Sequence, residues 1–190
     1  MRNLVLAGLF LALSACAFGQ ISSNGPVIAD YGKKITASDP VEAKIAKEVR
    51  HELLMLPWYS LFDDLEYTVQ GRTVTLSGYV AGDHAVTKSQ AENVVKQIEG
   101  VDKVVNNIKV LPPNPLDDEV RGQTYAAISR TGSLSRYFWQ AAPSIHIIVD
   151  NQRVTLVGIV NSDGDKNLAT ISANTVPGVF QVTNNLRVVK

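Results

Sequence analysis

A chain of 190 residues with 45% hydrophobic content has the composition of one or two small globular domains and is too apolar to be a disordered tail. Lysine plus arginine and aspartate plus glutamate balance at 18 each, so no net field draws the chain to polyanions, and nucleic acid is excluded as an expected partner.

The chain opens on "MRNLVLAGLFLALSACAFGQ", with Arg2 as a short basic start, an apolar run from Leu4 to Leu13 and then small residues. That is the pattern of an export signal. The run falls well short of the roughly twenty residues that a membrane-crossing helix needs, and no later stretch approaches that length. The single cysteine, Cys16, ends "LSAC", which resembles the lipobox of bacterial lipoproteins. The resemblance implies a signal segment over 1–16 and lipidation of Cys16. An unpaired cysteine there has no other evident purpose in an oxidising compartment. Cleavage after Ala17 or Gly19, giving a soluble periplasmic or secreted protein, is the alternative. Residues 17–38 show little hydrophobic periodicity and carry Ser, Asn, Gly and Pro, which reads as a flexible tether.

A helix is predicted next. Asp39-Pro40 with Glu42 fits an N-cap, a first-turn proline and a capping-box acid, and Val41, Ile45, Val49 and Leu53 mark one face. Leu65, Tyr67 and Val69 then alternate with polar residues up to Gln70-Gly71. Beyond that turn Val74, Leu76, Gly78 and Val80 alternate again, which makes a hairpin. Ala91, Val94, Val95 and Ile98 recur at helical spacing before Gly100. A third strand with Val104, Ile108 and Val110 follows, parallel to the strand before the helix through a right-handed crossover.

About eighty residues later the order returns. "RTVTLSGYV" comes back as "QRVTLVGIV", and Gly100-Val101 with Asn106-Asn107 as Gly178-Val179 with Asn184-Asn185. Asn114-Pro115 with Asp117 opens a second helix, and Ile145, Ile147 and Val149 lead through Asp150-Asn151 to Val154, Leu156, Gly158 and Val160. A helix from about 163 to 175 and a strand with Val182, Leu186 and Val188 complete the copy. Internal duplication explains the correspondence. The expected fold class is α+β: two tandem αββαβ domains, each a three-stranded mixed sheet packed against two helices. Gly78 and Gly158 are expected where another backbone or side chain crowds the sheet.

This order, with "VTLSGYV" before a helix and a Gly-Val-x-x-Val-x-Asn ending, resembles the BON domain of bacterial envelope proteins, over 40–112 and 115–190. Behind a lipobox, the pair is similar to dual-domain envelope lipoproteins; without one, to soluble periplasmic relatives induced by osmotic stress. The resemblance implies a non-enzymatic binding protein that contacts anionic phospholipid and supports envelope integrity. Ala17 after the cysteine offers no acidic retention signal, which favours the outer membrane as the anchor site.

The residues themselves offer little for catalysis. His51, His84 and His146 fall on a helix, a loop and a strand without metal-ligand spacing and read as exposed or incidental. Phosphate-cradling glycine loops, nucleophile elbows and HExxH are absent from the sequence. Asp63-Asp64, adjacent carboxylates before a strand, reads as a solvated turn. No cofactor, metal or small-molecule substrate is expected.

Two features ask for more than a fold. Aromatic clusters lie between each opening helix and first strand: Trp58, Tyr59 and Phe62 in "LPWYSLF", and Tyr137, Phe138 and Trp139 after Arg136 in "RYFWQ". Such rings either close the end of a core or sit at a boundary between apolar matter and water, where Arg136 could pair with lipid phosphate. Arg136, Tyr137, Phe138 and Trp139 are the candidate lipid-binding set; with only Arg130 and Arg136 nearby, affinity for anionic lipid is expected to be modest. The second feature is the outer sheet face of the second copy, with Thr155, Val157, Ile159, Ile148 and His146. This is greasy enough to be covered by the first domain or by a partner, or else it is a tolerated set of surface aliphatics. Ile148, Val157 and Ile159 are the candidate interface. They support the rival expectation of a module that docks on an envelope assembly complex or self-associates.

Overall fold

The computed structural model describes residues 27–29, 39–140 and 142–189. The signal segment, Cys16 and most of the tether lie outside the described residues. Inside the tether range, Val27–Ala29 forms a short strand, β1.

The first copy runs α1 (Pro40–Leu54), β2 (Asp64–Gln70), β3 (Thr73–Val80), α2 (Val86–Lys96), β4 (Lys103–Asn106) and β5 (Lys109–Val110). The second runs α3 (Pro115–Ser129), β6 (Ile145–Asp150), β7 (Arg153–Val160), α4 (Asp163–Asn174) and β8 (Gln181–Val188). In each copy the hairpin is antiparallel and the last strand joins it parallel, after the crossover helix. The first sheet departs from three strands in two ways. β1 pairs antiparallel with β2 and covers its outer edge, and the third strand is interrupted at Asn107-Ile108 into β4 and β5. Both pieces keep one register on β3, so the ladder is broken without a slip.

The helix starts follow the chain's own chemistry. The Asp39 side chain accepts from Val41 N at 2.8 Å and Asn114 from Leu116 N at 3.0 Å, each before a proline that has no N–H to satisfy. Glu42 does not close a capping box. It reaches out of its helix to accept from Gly71 N in the β2–β3 turn. In the second copy Asp117 does the same, accepting from Asn151 N at 3.0 Å and Gln152 N at 2.8 Å. Asn151 and Gln152 both have positive φ, at 49° and 56°, the backbone of a tight hairpin turn. In each copy the acid thus clamps a turn about thirty residues away.

Each copy has its own core. Ile45, Val49 and Leu53 of α1 meet Leu65, Tyr67, Val69, Val74, Leu76 and Val80 of the hairpin, while Val41 of the same helix is exposed. Val120 and Ile128 of α3 meet Ile145, Ile147, Val149, Val154, Leu156 and Val160. The repeated asparagines lock helix to sheet. Asn106 donates to Lys88 O at 2.9 Å while its own oxygen accepts from Ile108 N at 3.2 Å; Asn184 donates to Lys166 O at 2.8 Å and accepts from Leu186 N at 2.9 Å.

Gly78 and Gly158 stand where the neighbouring strand's backbone leaves no room. A Cβ would lie 2.0 Å from Asp64 O at Gly78 and 2.1 Å from Ser144 O at Gly158, and φ is +108° and +118° there.

Candidate functional site

Between α3 and β6 the chain forms a 3-10 helix over Gly132–Phe138, and Trp139 follows it. The four residues of the candidate lipid set separate there. Trp139 is 79% exposed, Tyr137 only 5%, and Phe138 half-buried, packing edge-on against Tyr125 of α3 with ring centroids 5.3 Å apart. Tyr137 is turned inward because its hydroxyl has three partners: it donates to Asp165 Oδ2 at 2.8 Å and accepts from Asn161 N at 2.8 Å and from Arg136 Nη2 at 3.3 Å. This takes Tyr137 out of any lipid-facing set. Arg136 is committed as well, donating to Asp165 Oδ2 at 2.6 Å and lying over the Tyr137 ring at 5.1 Å. Burial raises the Asp165 carboxyl, but hydrogen bonds from Ser133, Tyr137, Arg136 and Ser162 outweigh it and bring the pKa down to about 2. What remains for contact is Trp139 with the open side of Phe138, beside Tyr125, which is 38% exposed. Tyr125 carries no signal in the sequence because it stands outside both aromatic runs, on α3.

The corresponding segment of the first copy does something different. Trp58 is exposed, but Tyr59 stacks on His146 of β6 at 5.6 Å. Ile147 N of β6 donates to Leu61 O at 2.8 Å, and the Leu61 and Phe62 side chains pack against the second copy's core. Asp63 organises this junction and is fully buried, so the expected solvated turn is not found. Its carboxylate accepts from Ala81 N and Ser60 N, each at 2.9 Å, and contacts His84 Nδ1 at 3.0 Å. Neither His84 nor His146 is incidental. Burial lowers the His146 pKa and so favours the neutral ring, whose Nε2 lies 3.0 Å from Pro143 O. His51 is exposed at the end of α1.

Where the outer faces of the two sheets approach, they leave a cleft of about 620 Å³. Asp64, Glu66 and Tyr79 of the first copy face Ile148 and Val157 of the second across it. Ile148 is buried, while Val157 and Ile159 are half-buried. Two of the three candidate interface residues therefore line an internal groove of the chain. Asp64 is buried too, against expectation. Desolvation, with Glu66 adding like charge, pushes its carboxyl up to about 7. Among the described residues no group of three or more His, Cys, Asp and Glu converges as a metal site would require. Nor, among them, is any helix long and apolar enough to cross a membrane.

The family model of the BON domain matches this chain twice, over residues 42–112 and 117–190. Among solved structures, the chain is similar to the C-terminal domain of CdsD, described as the structural protein of the type III secretion system of Chlamydia trachomatis. The TM-score is 0.31 at 11% identity, over 76% of this chain and 96% of that one. A second structure of CdsD gives 0.31 at 12% identity, over 75% of this chain and 91% of that one. No curated protein matches the chain.

Proposed function

The chain belongs to the BON-domain family, in two tandem copies, and from that premise we propose that it is a non-enzymatic binding protein of the bacterial envelope. Its second copy contacts membrane phospholipid and supports envelope integrity. BON domains are envelope-associated binding modules of a non-catalytic family, which supports this class. The observation that carries the membrane reading is Trp139, 79% exposed at the tip of the 3-10 helix beside Phe138 and Tyr125. An indole left in water beside two further rings suits the zone where apolar chains give way to headgroups. The cationic contribution is small, since Arg136 is tied to Asp165 and Arg130 is the exposed charge nearby. Contact then depends on aromatic insertion more than on charge, with a mild preference for anionic lipid. Lipidation at Cys16 would hold the module at the membrane, the outer membrane in our reading, so a weak contact would suffice.

The test uses residues 21–190 with Trp58→Phe, so that Trp139 alone emits. Its fluorescence is expected to start red, as for a ring in water, and to shift blue on titration with phosphatidylglycerol vesicles, less so with neutral ones. Trp139→Ser should abolish sedimentation with vesicles. An emission unmoved by either vesicle would overturn the membrane reading and send the search to a protein partner.

A further inference from the structure

The cleft between the sheets holds an anomaly that the lipid reading does not use. Asp64 is only 7% exposed, yet its carboxyl has neither a hydrogen bond nor a cation in contact among the described residues. An unpaired buried carboxylate is costly, and folded proteins satisfy such groups or keep them for a ligand. Its neighbour Asp63 shows how completely this chain can satisfy a buried acid. Asp64 also opens directly on the cavity, and Glu66, two residues on along β2, lines the same face. The volume, about 620 Å³, falls in the ~300–1,000 Å³ range of small-molecule sites.

We propose that this cleft is a binding site for a small amine that also carries an anionic group, its ammonium held by Asp64 and Glu66. A compact ammonium has three donors and can serve two carboxylates at once. Ile148 and Val157, a diagonal pair across β6 and β7 that lines the cleft, give a methylene stem its apolar floor. Arg153, exposed on the same wall, supplies the opposite end with positive charge. The other charged lining residues among those described are Arg187 and Asp150, and Asp150 already accepts from Asn151 Nδ2 at 2.9 Å. Tyr79, paired with Asp64 across the hairpin, also lines the cleft, with Lys109 Nζ over its ring at 5.7 Å. A zwitterion therefore fits this lining better than a polyamine or a diacid. Binding of the ammonium selects the ionised carboxyl, so affinity rises as pH rises through about 7, the pKa of Asp64.

Calorimetric titration of the full chain with ε-aminocaproate, cadaverine and adipate tests this. The zwitterion is expected to bind best, cadaverine more weakly and adipate not at all. Affinity for ε-aminocaproate should fall at least about tenfold in Asp64→Asn, and its rise between pH 6 and 8 should vanish there. Asn keeps the shape of a carboxyl that is largely uncharged below neutrality, so the variant should fold; Glu66→Gln provides a second, surface-accessible change that should weaken binding. Adipate binding as well as ε-aminocaproate, cadaverine binding equally or better, Asp64→Asn binding within twofold of wild type, or no binding of any probe at millimolar concentration would each overturn the assignment.

Discussion

Asp165 collects three side-chain donors, from Ser133, Tyr137 and Arg136, and that fixes the sign of its pH dependence. Its folded pKa of about 2 lies below the ~3.9 of an unfolded aspartate. The stability it contributes is therefore complete above about pH 4 and is lost as pH falls toward 2. Chemical denaturation of the second copy should weaken over that window in wild type and much less in Asp165→Asn, which begins about 1–3 kcal/mol lower at pH 7. A flat wild-type profile would count against the network. Ser162, the α4 N-cap whose side chain accepts from Asp165 N at 3.0 Å, is a local partner, but the donors from the 3-10 helix come within reach only in the folded chain. Asp63 and Asp64 mark the same boundary. Two adjacent carboxylates before a strand read as solvated, because nothing local says that β6, some eighty residues on, will close over them.

The repeated element, strand to helix to parallel strand, was almost fully legible, since periods of two and 3.6 differ plainly and each hairpin carries its glycine. The cost of altering that glycine is correspondingly sharp. In Gly158→Ala the new Cβ would fall 2.1 Å from Ser144 O at a φ of +118°, so backbone must move. We expect a loss of more than about 3 kcal/mol by urea denaturation, among the larger effects of single substitutions. Gly122→Ala, in the interior of α3 with nothing within 4 Å, should be neutral or mildly stabilising. Equal stability of the two variants would refute the crowding. Less legible was the role of Glu42 and Asp117. Their spacing from the N-cap fits a capping box, and the competing hairpin turn, with its unsatisfied N–H groups, becomes visible only once helix and sheet are packed. The break at Asn107 between β4 and β5 had no sequence signal, since the alternation of Val104, Ile108 and Val110 continues across it.

At the scale of the molecule, the two copies are joined through "YSLFD" more than through the short connection after β5. Leu61 and Phe62 pack against the second core, and the Leu61 carbonyl accepts from the backbone of β6. Replacing both Leu61 and Phe62 by alanine should remove about 2–4 kcal/mol from the second copy. The expected calorimetric trace is a separate, earlier transition for that copy; a single unchanged transition would mean that the copies melt independently of this contact. A repeat search finds two equal units, but it cannot show that one supplies part of the other's packing, because "LPWYSLF" and "RYFWQ" differ in sequence and occupy equivalent positions. That inequality gives the chain a direction. In a chain that enters its compartment amino end first, the first copy is delivered ahead of its twin and brings the wall against which β6 lies; the reverse order would leave the edge of β6 bare until its neighbour arrived.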